Sequence, residues 1–357
     1  MISDSFWKDK RVFITGHTGF KGSWLSLWLL KLGAIVKGYS LLPPTKPSLY
    51  EEVGLENRIV SQIGDIRNLE SLKKSIEEFQ PEVVFHLAAQ AIVRDSYDDP
   101  IETYTSNIIG TVNVLESIRA IKTIKSVIII TSDKCYQNND NGKSFSEDDP
   151  MGGFDPYSSS KGCAELVTNA YRNSFFTNSE KGLASVRAGN VIGGGDWSKD
   201  RLIPDILNAL SNNTKVIIRN PDSIRPWQHV LEPLSGYLVL AEKLFEDHEK
   251  YSCGWNFGPE PEEIRSVKWI LEKISMRYSK VDWSLDGNNN PHESKILRLN
   301  IEKVKKELCW KPIWTTEIAI EKIVNWHQCW FSNQGDTNYI FELCMSDISS
   351  YEHALTN

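Results

Sequence analysis

Short apolar runs alternate with amphipathic stretches through the first half of the chain. Arg11–Thr15 (RVFIT) reads as a strand. A Gly-rich turn follows, then an apolar-periodic helix over Gly22–Leu32 that stops at Gly33. Ala34–Tyr39 reads as a second strand, and the LLPPTKPS stretch after it breaks regular structure. Arg58–Ile63 is a third strand candidate and Leu69–Phe79 a helix. Pro81 precedes a buried-type strand, Val83–Leu87, and Pro100–Ile121 reads as helical. Ser126–Thr131 (SVIIIT) is a continuous β-branched run, the mark of a strand covered on both faces. Repeated β-then-α order predicts an α/β fold, a doubly wound parallel sheet with helices on both faces.

The second half is less regular. Tyr157–Phe176 reads as a helix and Leu183–Arg187 as a strand. From about Asn190 the Gly, Pro and Trp content rises, so long loops and a smaller C-terminal lobe are expected. The division expected is 1–189 for the sheet domain and 190–357 mainly for a ligand lobe, partly interleaved with the first. Leu297–Cys309 and Glu317–Phe331 read as helices, and the polar stretch Ser332–Asn357 receives no assignment.

Composition narrows the classes. A length of 357 residues allows one large or two modest domains. Lys plus Arg number 40 and Asp plus Glu 47, a net charge of −7 that argues against nucleic-acid or anionic-membrane partners. No apolar run approaches the roughly 20 residues of a membrane span. The opening MISDSFWKDK lacks the basic-then-apolar order of a signal peptide. Six cysteines are scattered without a CxxC pair, which suits reduced thiols and a cytoplasmic location. His17, His86, His229 and His327 have no metal-ligand spacing, so no metal is expected.

Candidate chemistry begins at the first turn. Thr15-Gly16-His17-Thr18-Gly19-Phe20-Lys21-Gly22 lies between strand and helix. Glycines there permit close approach of backbone to a pyrophosphate, and the helix N-terminus offers unpaired N–H groups. The spacing is G-x-x-G-x-x-G rather than G-x-G-x-x-G. The end of the second strand carries no carboxylate for an adenosine ribose, and Ser40 is the candidate in its place. The choice between NAD and NADP therefore stays open. Asp65, at the end of the third strand, is either a contact to the adenine edge or the N-cap of the next helix.

Two further segments carry titratable groups. Tyr157 and Lys161 fall at i and i+4, on one face of a helix, where an ammonium lowers the phenol pKa and suits it as a general base, although alone such a pair reads as surface decoration. Ser132-Asp133-Lys134 follows the strongest strand, at the end where open α/β sheets bind ligands. By itself that pair is also consistent with a solvated turn.

Together these segments resemble the extended short-chain dehydrogenase/reductase family, which acts on nucleotide-activated sugars. The motifs run in order over about residues 8–331: TGHTGFKG, GDIRN, HLAAQ, NIIGT, TSDKCY, YSSSK, RAGNVIGGGDW, RPWQHV and LCWKP. The resemblance implies a Rossmann-type cofactor domain, a smaller sugar-nucleotide lobe and NAD as cofactor, with NADP not excluded. It places Gly16, His17, Thr18, Gly19, Phe20, Gly22, Ser40, Asp65, Ile66, Leu87, Ala88, Ala89, Asn107, Tyr157 and Lys161 along that cofactor. It assigns the hydroxyl partner of Tyr157 to Ser132.

Within the family, 4-epimerases share the glycine turn and the Tyr/Lys pair. Nucleotide-hexose 4,6-dehydratases add an acid and a base, usually Asp-Glu. Asp133-Lys134 is similar to the branch that acts on a CDP-hexose. Oxidation at C4 makes the C5 proton acidic, after which water leaves across C5 and C6. The implied roles are Tyr157 as base at the C4 hydroxyl, Lys161 as its tuner and Asp133 as acid at C6. Lys134 is either the base at C5 or a cation that stabilises the enolate. Arg94, Asn190, Arg201 and Arg225 are the substrate candidates, against plain readings as surface arginines and a turn asparagine. Trp227 and His229 read as packing. A homodimer through Ile101–Ile121 and Tyr157–Phe176 is implied. The rival readings are a 4-epimerase and a non-catalytic nucleotide-binding regulator.

Overall fold

The β-branched runs pair into one sheet. A computed structural model describes residues 2–140, 142–278, 281–287 and 296–356. Strands β1 (Arg11–Thr15), β2 (Ile35–Ser40), β3 (Val60–Ile63), β4 (Val83–His86), β5 (Ser126–Ile130), β6 (Gly182–Ala188) and β7 (Gly254–Phe257) are all parallel, in the order β7-β6-β5-β4-β1-β2-β3. The central strands β4, β5 and β6 are buried along their whole length, which the apolar runs of β4 and β5 favour, while β6 also buries Ser185 and Arg187. Chain order reverses between β1 and β4. That switch point opens a crevice at the carboxyl ends of the strands, beside Thr15 and His86.

The helix Phe20–Lys31 begins two residues earlier than periodicity predicts and is apolar on nearly every side. The reason is a partner on its outer face. The polar tail assigned no element forms the helix Thr337–Thr356, whose Ile340, Cys344, Ile348 and Tyr351 are buried at helical spacing. Trp28 Nε1 donates to Glu352 at 2.8 Å, and the Trp28 and Tyr351 rings meet edge to face at 5.6 Å.

A second expectation is corrected at Leu297–Cys309. Leu297, Leu299 and Ile301 are buried alternately, which is a strand period, and Arg298–Leu299 pairs with Ser144–Phe145. Only Glu302–Glu307 is helical there. The sheet also draws on chain beyond residue 189. β7 is its edge strand, and the helix Leu231–Glu246 packs on β5 and β6. Ile203, Ile206, Trp227, Ile270, Ile274 and Ile320 form a separate core under the rest of the C-terminal half. Trp227 and His229 are buried packing residues, the His229 ring lying 4.9 Å from Trp314.

Glu232, fully buried, fastens the C-terminal helix. Its carboxyl accepts from Ile313 N, Trp314 N and Tyr351 OH, the last at 2.6 Å. Burial pushes this carboxyl up to about 7, against the pull of Tyr351 and the two N–H groups. A raised acid keeps its proton in the folded state while the unfolded chain releases it. Its contribution is full below the ordinary glutamate value of 4.5 and is lost as pH rises through about 7. The urea midpoint is expected to fall between about pH 5 and pH 8, and the fall to be shallower in Glu232→Gln. Identical slopes would remove Glu232 as the cause.

Candidate active site

The glycine turn lies where the two central strands leave most room. Gly16 has φ +81°, and a Cβ on it would sit 2.6 Å from Ala88 N. Gly22 has no more space, with the Gly16 carbonyl 2.1 Å from its Cβ position. Leu87 and Ala88 thus run directly across from the turn. Thr15 Oγ1 fixes that approach by bonding His86 Nδ1 at 2.7 Å and accepting from Ala88 N at 3.2 Å. Gly19 caps the helix without a side-chain bond, so the first N–H groups behind Phe20 are left for a ligand. A dinucleotide pyrophosphate fits this cradle. His17 is buried beneath it, bonded to Ser61 at 2.7 Å, and burial pushes its pKa down to about 4, so it is neutral.

Three expectations are modified here. Ser40 is buried with its hydroxyl 2.9 Å from Thr18 Oγ1, so it braces the turn. Asp65 is not the N-cap; Asn68 caps the helix, and Arg67 grips the Asp65 carboxylate at 2.6 Å. Ile66 turns its side chain into the core, where Gly110 makes room for it. Only its main chain is left to face a ligand.

Asn107 sits in a single π-turn, Thr105–Ile109, inside the helical stretch expected over Pro100–Ile121. Its amide donates to Gln90 O at 3.0 Å and Ser160 Oγ at 2.8 Å. Asn107 therefore joins the loop after β4 to the residue before Lys161. Tyr157 and Lys161 lie on the helix Pro156–Tyr171, capped by Asp155. The cap, with Pro156 at the first position, accounts for the helix starting there.

Ser132, Asp133, Lys134 and Tyr157 share one cavity of about 570 Å³. Arg94, Asn190, Arg201 and Arg225 line the same cavity, so all four substrate candidates converge on it. Asn190 holds a positive φ of 33° at the end of β6. Arg201 pairs with Asp196 at 3.0 Å and Arg94 with Asp200 at 3.3 Å. Asp133 Oδ1 accepts from Ser132 at 3.0 Å, while its buried Oδ2 has no hydrogen-bond partner among the described residues. Burial pushes the Asp133 pKa up; Lys134, Ser132, Arg225 and Lys21 pull against it. The pair is a cavity wall rather than a solvated turn. Asp133 and Lys134 also line a hollow of about 30 Å³ beyond it.

The phenol of Tyr157 departs from expectation. Burial pushes it up to about 12, with the Ser132 hydroxyl opposing. The Lys161 ammonium points instead at Ile130 O, 3.5 Å away. Burial lowers that ammonium to about 8, and Glu165 holds it up.

Sequence reasoning missed Lys21. It lines the cavity, and burial, then Arg201 and Lys161, lower its pKa to about 7, with Asp133 opposing. The available signal was a lone cation between Phe20 and Gly22, in a helix otherwise apolar until Lys31. Asp205, Lys215 and Arg219 line the outer end of the cavity and were also missed.

The family described as GDP-mannose 4,6 dehydratase matches residues 13–323. The chain belongs to that family. It is 57% identical over 363 residues to a CDP-glucose 4,6-dehydratase of Salmonella typhimurium, covering 100% of both. The fold is similar to that of a Bacillus anthracis dTDP-glucose 4,6-dehydratase solved with NAD, with TM-score 0.75 and 22% identity over 94% of this chain and 99% of that one. It is also similar to a Thermus thermophilus UDP-glucose 4-epimerase, with TM-score 0.77 and 21% identity over 89% of this chain and 99% of the other. Among the described residues no three His, Cys, Asp or Glu gather as a metal site, and no helix is long and apolar enough to cross a membrane.

Proposed function

We propose that the protein is a nucleotide-sugar 4,6-dehydratase that converts CDP-D-glucose to CDP-4-dehydro-6-deoxy-D-glucose and water. The observation that carries this reading is Asp133, buried with an unpartnered oxygen in the same cavity as Tyr157. A 4-epimerase needs the tyrosine but has no step for a neighbouring acid. The relative at 57% identity supports the choice of base and sugar.

NAD is the cofactor proposed for the glycine turn, and when bound it accepts a hydride and later returns it. Tyr157 takes the proton of the C4 hydroxyl, with the Ser132 hydroxyl against the phenol and Lys161 one turn along the same helix. The resulting C4 ketone makes the C5 proton acidic. Lys134 is assigned to that proton. Asp133, held toward its protonated form by burial, protonates the departing C6 hydroxyl. Arg94, Arg225 and Arg201 face the diphosphate and sugar as fixed cations. If Lys134→Ala keeps C5 exchange at the wild-type rate, the Lys134 assignment is wrong.

Gly16→Ala is expected to weaken NAD binding about 5- to 150-fold, since Cβ occupies the approach and φ is positive; that corresponds to about 1–3 kcal/mol. Fluorescence titration measures it, and an unchanged affinity would place the pyrophosphate elsewhere. We also propose a homodimer through the helices around Ile101 and Leu166, which are 75% and 59% exposed. Leu166→Arg should then give a monomer by light scattering.

The deciding experiment presents CDP-, dTDP- and GDP-glucose separately and follows water loss by mass. Water loss from CDP-glucose alone is expected. Epimerised sugar of unchanged mass, or tight binding without turnover, would replace this reading with the epimerase or the regulator.

A further inference from the structure

A buried ion pair lies behind the cavity and takes no part in the steps above. Glu165 stands one helical turn beyond Lys161, and Arg187 lies on β6. Their side chains are 3% and 5% exposed. The Glu165 carboxylate accepts from Arg187 Nε and Nη2, both at 2.9 Å, from Ser185 Oγ at 2.7 Å and from Thr131 Oγ1 at 2.5 Å. Arg187 has one nitrogen left. That Nη1 donates to Tyr136 OH at 2.6 Å and to Glu147 O at 3.0 Å. The Tyr136 hydroxyl donates onward to Asn256 Oδ1 at 2.7 Å, and its ring stacks on Phe145 at 4.9 Å. Gly254 leaves the space: a Cβ there would lie 2.6 Å from Arg187 Nη2.

Two of the residues the pair reaches, Thr131 and Tyr136, bound one short segment. Ser132, Asp133, Lys134 and Cys135 hang between them. Ion pairs this deeply buried are often no more stabilising than an apolar pair of the same volume, so stability alone is a weak reason for one here. Fixing both ends of a catalytic turn is a better one. The Thr131 end has a second anchor, Thr131 N to Val186 O at 2.9 Å, which secures Ser132. At the far end the Arg187 bond meets Tyr136 itself, next to Lys134 and Cys135.

We propose that Arg187, oriented by Glu165, is a positioning residue that aims Asp133 and Lys134 through the Tyr136 hydroxyl, and so governs water loss more than C4 oxidation. The inference rests on the dehydratase reading. Tyr157 is held by another route, in which Asn107 donates to Ser160 and Ser160 to the Tyr157 carbonyl, so loss of the Tyr136 hydroxyl leaves that route in place.

Tyr136→Phe tests it with little risk to folding. The ring stack and the Glu165–Arg187 pair remain, and only the hydroxyl is lost. Arg187→Lys is the second variant, keeping the charge opposite Glu165 but losing the arm to Tyr136. Single-turnover reactions of the NAD-loaded enzyme with CDP-glucose are quenched into borodeuteride. Deuterium at C4 of a hexose that keeps its C6 hydroxyl marks the 4-keto sugar still waiting to lose water. In Tyr136→Phe the water-loss rate should fall about tenfold or more, with C4 oxidation within about threefold, so the waiting sugar accumulates. Equal slowing of both steps, or slowing of neither, overturns the proposal. A wild-type enzyme that forms no 6-deoxy sugar overturns the dehydratase reading instead, and the two failures are told apart in one experiment.

Discussion

Tyr157→Phe is expected to lower turnover of CDP-glucose by about 10³-fold, the middle of the range for loss of a positioned acid–base group. The ring is buried at the wall of the cavity, so phenylalanine keeps its packing and deletes only the oxygen. Substrate affinity should change little, because Arg94, Asn190 and Arg225 are untouched. The direction follows from the electrostatics. The phenol sits at about 12, mainly through burial, so it transfers a proton only with help from Ser132 and from positive charge gathered in the cavity. Removing the hydroxyl removes the group that relays the C4 proton, and Asp133, held toward its protonated form by burial, does not replace it. The 4-keto product absorbs in base, which makes the rate measurable. A variant within tenfold of wild type would hand the C4 proton to another group and would undo the role of Ser132 as well.

The sheet was legible because parallel strands buried on both faces write themselves as apolar runs. β5 is the example; the helix Leu69–Phe79 was legible from its helical period instead, and matches residue for residue. Where apolar residues were sparse, two periods were confused. Leu297, Leu299 and Ile301 alternate as a strand does, yet the charged residues from Glu302 onward suggested a helix running through both. The tail escaped because its buried stripe, Ile340 to Tyr351, is thin and mixed with Ser, Asp and Glu. Its covering role shows only once Trp24 and Trp28 are seen to need a partner. At the site, sequence named residues that converge on the cavity. It could not tell that Ser40 would brace Thr18, that Asn68 rather than Asp65 would cap a helix, or that Lys161 would turn toward a carbonyl. Each of these depends on where a neighbour from another element points. Lys21 was missed for the same reason: the charge that bears on its ammonium, from Asp133, Arg201 and Lys161, comes from other elements.

The second large effect is expected at Asp133. Asp133→Asn should leave C4 oxidation and C5 exchange in place but slow loss of the C6 hydroxyl by about 10²–10⁴-fold, because an amide gives no acidic proton to the leaving oxygen. The same substitution should not harm the fold. Burial raises the Asp133 pKa, so the folded protein holds a proton that the unfolded chain releases above the ordinary value of 3.8. Ionising the buried group therefore costs stability as pH rises, and asparagine removes that cost. Asp133→Asn is expected to melt at or above the wild-type temperature at pH 8, and at about the same temperature near pH 4. A dead enzyme that is also more stable separates an acid kept for chemistry from one kept for packing. Gly189→Ala presses on the same atom from behind, since its Cβ would lie 2.0 Å from Asp133 Oδ2. It should displace the carboxyl and slow the same step. If Asp133→Asn instead turned over at the wild-type rate, the proton for C6 would have to come from Lys134, and the two roles on that turn would be reversed.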